Sequence, residues 1–283
     1  MGGTGIYLRR ESFHAMKEFI NAVACPCRAI QSLRSDFLKP ELNSVDGSEK
    51  LARFLARCGI ASRRKCEELI RAGWVQVNDV TVVTPETRVH ADQDRIRYRG
   101  KRIQPIRSFR YIIFHKPRGV LSTCRAGREK GRTVLDFVRV GERIFPAGRL
   151  DRDTSGLLIL TNDGDLVHRM IHPSFEMERE YIAKTSRPIH PDDLRMLQGG
   201  VLLEDGFSRF LQVQPIGKQT LRLVLREGRK RQIRRTFAAV ELPLTDLQRV
   251  RFGPIKLGRL PIGAWRDLLP AEVRRLKVGQ SAS

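Results

Sequence analysis

Cysteine is sparse and scattered in this 283-residue chain, at Cys25, Cys27, Cys58, Cys66 and Cys124. Cys25 and Cys27 lack the two-residue spacing of a zinc knuckle, and no second pair answers them. The five read as reduced cysteines of a cytosolic protein. His168 and His172 stand four apart, a spacing that could seat a metal on one helix face, but no glutamate-bearing zinc pattern accompanies them. No metal is therefore expected. Two further absences narrow the function. No stretch approaches the roughly 18 to 20 apolar residues that cross a bilayer, and no glycine-rich loop offers a dinucleotide cradle. Negative charge is also short, with 31 Asp and Glu against 53 Lys and Arg, a formal net charge of +22. Such an imbalance says little about fold. It argues for a polyanionic partner, most often nucleic acid, the bland reading being a basic but merely soluble protein.

The length suits about two domains. Residues 1–47 differ from the rest: a glycine-rich start, then Arg and Ser with some acids. They read as a disordered extension or a start codon placed too early, with a transit peptide as the other reading. Residues 48–105 form a small module. A helical pattern buries Leu51, Phe54 and Leu55 and ends at Cys58-Gly59, where a left-handed residue suits a helix C-terminus. Ser62 can cap a second helix over 63–72, with Cys66, Leu69 and Ile70 at helical spacing. Two alternating runs, 75–77 and 80–83, meet at Asn78-Asp79 as a hairpin, and a strand follows over 94–98. Arg53, Arg57, Arg63, Arg64 and Lys65 crowd the helix pair, several where the helix dipole would rather have acids. Phosphate contact would explain that placement; a solvated helix pair is the alternative.

Residues 106–283 are organised around Gly148 to Leu166, GRLDRDTSGLLILTNDGDL. A charged cluster, Arg149-Leu150-Asp151-Arg152-Asp153, precedes a short apolar run bounded by turn residues, the pattern of a buried strand. Asn162-Asp163-Gly164 signals a turn. A carboxylate at the strand mouth between arginines stays ionised, which describes either an aspartate nucleophile or a structural ion pair. Upstream, an apolar strand at 111–114 runs into Lys116-Pro117-Arg118-Gly119, two cations on a rigid loop that suit phosphate contacts or plain loop charges. Residues 125–132 read as a mobile surface loop. Downstream come a helix ending before Pro173, a strand over 178–183 carrying Tyr181, and a helix over 191–197. Strands follow over 201–203, 210–213 and 221–225, then a basic run over 227–237 that leads into a helix with Ile233 and Phe237 inward. A strand over 247–252 and short closing elements complete the chain.

LARFLARCGIASRRKCEELIRAGWVQVNDV resembles the small RNA-binding module named after a small-subunit ribosomal protein, which implies recognition of structured RNA by shape and backbone. KPRGVLST, GRLDRDTSGLLILTNDGDL, EREYIA, EGRKRQIRRTF and LQRVRFGPIKLGRLPIGAWRDL together resemble the pseudouridine synthases, specifically the branch that modifies ribosomal RNA and carries that module. The resemblance implies that Asp151 is the catalytic aspartate, that Tyr181 packs against the target base, that Arg234 pairs with the aspartate, and that Leu247 lines the pocket. It leaves open whether the aspartate adds to the sugar or takes a proton from it. Asp153 matches no catalytic position and reads as turn chemistry. Lys230 stands where the family often has a small polar residue such as Asn. Candidate RNA contacts are Arg53, Arg57, Arg63, Arg64, Lys65, Lys116, Arg118, Arg149, Arg229, Lys230 and Arg231.

The fold so implied is α+β: a small N-terminal α+β RNA-binding module and a larger domain on a mixed, mostly antiparallel sheet with flanking helices, its cleft across the middle of the sheet. The function implied is isomerisation of uridine to pseudouridine in ribosomal RNA, with a lean to the large subunit, by a cytoplasmic monomer needing no cofactor, since no redox step occurs. Two other readings are the same reaction on small-subunit RNA and a non-catalytic ribosome-assembly factor. A hydrolase using Asp151 and Asp153 as paired carboxylates is weaker, because the second falls in a turn.

Overall fold

A computed structural model describes residues 47–124, 127 and 130–278. Backbone contacts set Lys50–Ser283 apart as a unit of its own. The reading of residues 1–47 as a disordered extension falls, save for Gly47, outside the described residues, and so does most of the loop read over 125–132.

That unit opens with helix α1, Leu51–Arg57, which buries Leu51, Ala52, Phe54 and Leu55. Helix α2, Arg63–Arg71, follows with Ser62 as N-cap; its hydroxyl accepts from the Lys65 amide at 3.4 Å. The two pack over a four-stranded sheet of order β2-β1-β3-β4, in which β1 is Val75–Val77, β2 Val80–Val82, β3 Ile96–Tyr98 and β4 Lys101–Arg102. Asn78 and Asp79 join the first two strands with φ of 51° and 67°. Both central residues of a tight hairpin turn then lie in the left-handed region, which Asn and Asp tolerate better than most.

The larger sheet has nine strands. Its main order is β11-β12-β8-β13-β7-β5-β15, with β14 paired to β13 and β6 to β7. The strands are β5 Tyr111–Lys116, β6 Phe145–Pro146, β7 Ser155–Thr161, β8 Arg179–Thr185, β11 Gln212–Gly217, β12 Thr220–Leu225, β13 Leu244–Phe252, β14 Ile255–Lys256 and β15 Trp265–Asp267. A separate hairpin pairs β9, Val201–Leu203, with β10, Gly206–Ser208. The large sheet is antiparallel except where β7 lies parallel to β13, so it is mixed and mostly antiparallel. β5 and β7 are buried along their whole length, as central strands covered on both faces must be. One face carries α4, Pro191–Gly199, and α5, Gln232–Ala239, over a core that includes Phe114, Leu158, Tyr181 and Leu247. The other carries α3, Gly164–Ile171, and α6, Pro270–Val278, over Ile113, Leu157 and Ile159.

Two sequence expectations change in detail. The turn at Asn162-Asp163-Gly164 is a helix start: Asp163 caps α3, its carboxylate accepting from the Leu166 amide at 3.0 Å and from the Tyr111 hydroxyl at 2.8 Å. The strand expected over 210–213 begins two residues later and runs to Gly217.

Candidate active site

Asp151 sits half-buried on a turn between Leu150 and the first residue of β7. The turn closes on itself, the Thr154 amide donating to the Asp151 carbonyl at 3.0 Å. Three outside contacts fix it. The Ser122 hydroxyl donates to the Leu150 carbonyl at 2.8 Å and accepts from the Leu150 amide at 3.1 Å. The Gly119 amide donates to the Arg152 carbonyl at 2.7 Å. The Arg234 guanidinium donates to the Asp153 carbonyl at 2.8 Å. A side chain aimed from so constrained a backbone pays little further entropy on reaching its working geometry.

Lys116 lies beneath the turn. It ends β5 with no exposed surface, and its ammonium donates to the carbonyls of Pro117 at 2.9 Å, Val120 at 2.8 Å and Arg152 at 3.5 Å. Burial pushes its pKa down to about 8, while the carboxylates of Asp151 and Asp153 pull the other way. The sequence offered Lys116 as a phosphate contact; a fully buried ammonium bound to backbone carbonyls cannot be one.

Arg234 comes from α5. Burial pushes its pKa down, the Arg231 charge adds to this, and Asp153 and Asp151 oppose it. Its guanidinium donates to the Asp153 carbonyl and not to the Asp151 carboxylate. The expected direct pairing is therefore an electrostatic neighbourhood, with the bond made two residues along the turn. Arg231, in the left-handed conformation at φ 50°, reaches the Asp153 carboxylate at 3.5 Å. Tyr181 on β8 is buried in the same core cluster as Leu150, Ile233 and Leu247. Leu247 pairs with Ala183, one face-sharing position along from Tyr181. The register thus sets Leu247 and Tyr181, on β13 and β8, beside the start of β7, while the turn that precedes β7 carries Asp151 and takes the bond from Arg234.

The expected RNA contacts divide. Arg63, Arg64, Arg149 and Lys230 are exposed, as is Arg57. Arg118 is exposed but leans on the Thr245 carbonyl at 3.1 Å. Lys65 pairs with Glu68 and Arg53 with Asp165, each at 2.6 Å. Arg229 is a structural hub: it donates to the carbonyls of Asp205, Gly206 and Phe207 at 3.0, 3.1 and 2.8 Å, and pairs with Glu227 at 3.2 Å. It ties the β9–β10 hairpin to the basic loop, which is why it does not reach outward. Beside the Asp151 turn an open cleft of about 500 Å³ is lined by Arg118, Arg132, Arg152 and Phe137. Among the described residues no group of three His, Cys, Asp or Glu could hold a metal ion. His168 and His172 instead stack 5.0 Å apart, and His172 bonds Ser174 at 2.7 Å.

Several residues of the site escaped the sequence reading. Ser122 lies inside the KPRGVLST motif, but nothing local tells that its partner is Leu150. Gly156, at φ 110°, lets β7 and β13 touch; a Cβ there would collide with the Arg249 backbone. Arg249 is buried on β13 and donates to the Leu157 carbonyl at 2.8 Å. Its only sequence signal is its place in the alternation with Leu247.

A family model described as RNA pseudouridylate synthase matches residues 110–239, and the S4 domain model matches residues 49–96. The chain is 37% identical to an RNA pseudouridine synthase of Aquifex aeolicus (strain VF5) over 232 residues, 80% of this chain and 93% of that protein. It is 38% identical to the ribosomal large subunit pseudouridine synthase B of Bacillus subtilis (strain 168) over 240 residues, 81% of this chain and 96% of that one. A crystal structure of a pseudouridylate synthase superposes with a TM-score of 0.59 at 26% identity, covering 80% of this chain and 99% of that chain.

Proposed function

This chain belongs to the RNA pseudouridine synthase family and carries an S4 domain, and from that membership we propose how its own residues convert uridine in large-subunit ribosomal RNA to pseudouridine. The substrate assignment draws support from the name of the Bacillus subtilis relative. The module over 48–105 grips folded RNA and the domain over 106–283 performs the chemistry, in the cytoplasm and as a monomer.

The reaction breaks the bond from C1′ to N1, turns the base, and joins C1′ to C5; the proton on C5 is exchanged for one on N1. No electron is gained or lost. The target uridine must first leave its stack, which costs a few kcal/mol. Exposed cations such as Arg149 and Lys230 draw in the phosphates that offset this. Tyr181 and Leu247 provide the apolar wall for the flipped base. Asp151 then acts on the sugar, by addition at C1′ or by taking a proton from it. Arg234 and Lys116 hold positive charge near its carboxylate.

The observation that carries the assignment is the bracing of the Asp151 turn by Ser122, Gly119 and Arg234. Asp151→Asn keeps the size of the side chain and removes its charge. Ribosomal RNA treated with the variant should contain no pseudouridine at the position that the wild-type protein modifies, while binding of the RNA persists. Full activity in the variant would overturn the reading.

A further inference from the structure

Arg249 is 2% exposed, yet it lacks the carboxylate partner that less enclosed arginines of this fold have. Arg251 pairs with Glu178 and Glu180 at 3.2 and 2.9 Å, Arg187 with Asp193 at 2.6 Å, and Arg266 with Glu272 at 2.7 Å. Arg249 donates through Nε to the Leu157 carbonyl at 2.8 Å, and among the described residues its Nη2 is buried with no partner and no carboxylate is paired to it. Two other cations stand close enough to oppose it, Lys116 and Arg179. The ring of Phe252, 4.9 Å from the Arg249 guanidinium carbon and 5.2 Å from that of Arg179, is a weak substitute for a counter-ion. Leaving a charge buried and unpaired is among the more destabilising things a fold can do. Holding the Leu157 carbonyl requires one neutral donor, which glutamine could supply. The charge itself is unexplained by the fold.

Its position explains it. Tyr181 and Arg249 are direct partners across β8 and β13, so their side chains leave the sheet on the same face. Gly156, at the start of β7, lies against the Arg249 backbone, and Lys116 feels both Arg249 and Asp151. Arg249 is therefore next to Tyr181 on β8 and next to the start of β7, which follows the Asp151 turn, with its guanidinium held between the Leu157 carbonyl and the Phe252 ring. Resting on the function proposed above, we propose that Arg249 supplies a fixed positive charge that stabilises the uracil as it separates from the sugar. By either route open to Asp151, the electron pair of the C1′–N1 bond leaves with the base, which becomes an anion until C5 bonds to C1′. A preorganised cation in a water-poor site stabilises that charge without reorganising.

The test compares Arg249→Met, which removes the charge, with Arg249→Lys, which keeps one, on a ribosomal RNA fragment under single-turnover conditions. Arg249→Met should fall at least about 100-fold in rate with RNA affinity within threefold of wild type, and Arg249→Lys should recover to within about tenfold. Should Arg249→Met fail to fold, Arg249→Gln, which can still donate to Leu157, takes its place. A second readout separates charge from architecture. RNA carrying 5-fluorouridine yields a more stable base anion, so the neutral variant should lose several-fold less in C1′–N1 cleavage on that RNA than on ordinary uridine. Equal losses on both RNAs, a wild-type rate in the neutral variant, or a deficit lying wholly in RNA affinity would each overturn the proposal. The Asp151→Asn result is independent: if Asp151→Asn is inactive while neutral variants of Arg249 are not, only this inference falls.

Discussion

Ser122 holds Leu150 by both backbone polar groups, donating to its carbonyl at 2.8 Å and accepting from its amide at 3.1 Å. One hydroxyl thus does for the Asp151 turn what a neighbouring strand would do for a regular one. Ser122→Ala would strand a buried amide and a buried carbonyl, at about 1–3 kcal/mol for each unsatisfied group. We expect a lower unfolding midpoint in urea and a turnover reduced by more than tenfold, with RNA affinity unchanged. Equilibrium unfolding, filter binding and single-turnover assays measure the three separately.

Gly156→Ala should be costlier. The alanine would need φ near 110° and would meet the Arg249 backbone, so β7 and β13 must part. A loss of more than about 3 kcal/mol is expected, read from chemical denaturation. A variant as stable as the wild type would show that the parallel contact is not required.

Lys116 makes stability depend on pH. Its folded pKa, about 8, lies below the ordinary 10.5, so between these values the unfolded chain binds more protons than the fold. Unfolding free energy therefore rises with pH across the window from 8 to 10.5, by up to about 3 kcal/mol from this group. Below pH 8 the contribution is flat. Lys116→Met should abolish the rise, so the stability of wild type relative to the variant should grow from pH 8 to 10.5. A constant difference would contradict this account of the buried ammonium.

RNA binding should separate the exposed cations from the engaged ones. Lys230→Ala and Arg149→Ala should each lower the slope of log affinity against log salt by roughly 1. Arg229→Ala should leave that slope nearly unchanged while lowering the melting temperature, because Arg229 is committed to Asp205, Gly206 and Phe207. Titrations at several salt concentrations give both numbers.

Local chemistry was the legible part of the sequence. The Asn78-Asp79 turn, the Ser62 cap and the apolar run of β7 follow from residue type and spacing within a few positions, and the structure has all three. The four proposed site residues are named because they sit in motifs that resemble a family, not because periodicity reveals them. The hidden part depends on partners far along the chain. Lys116 and Arg229 look like surface cations until the carbonyls that surround them are known, and Asp163 looks like a turn residue until Leu166 donates to it. Arg249 is hidden for the same reason, since its meaning lies in the missing carboxylate.

The parallel contact between β7 and β13 also sets an order of assembly. Only Ser155 with Gln248 and Gly156 with Arg249 are in register there, and the bond from Arg249 reaches back 92 positions to Leu157. Such distant closure comes late, because the intervening chain must be gathered first. During translation Asp151 leaves the ribosome tunnel well before β13, the strand that pairs with the start of β7. A nascent chain stopped ahead of residue 249 would hold the partners that brace the Asp151 turn, Ser122, Gly119 and Arg234, but not the parallel contact that ties β7 to β13.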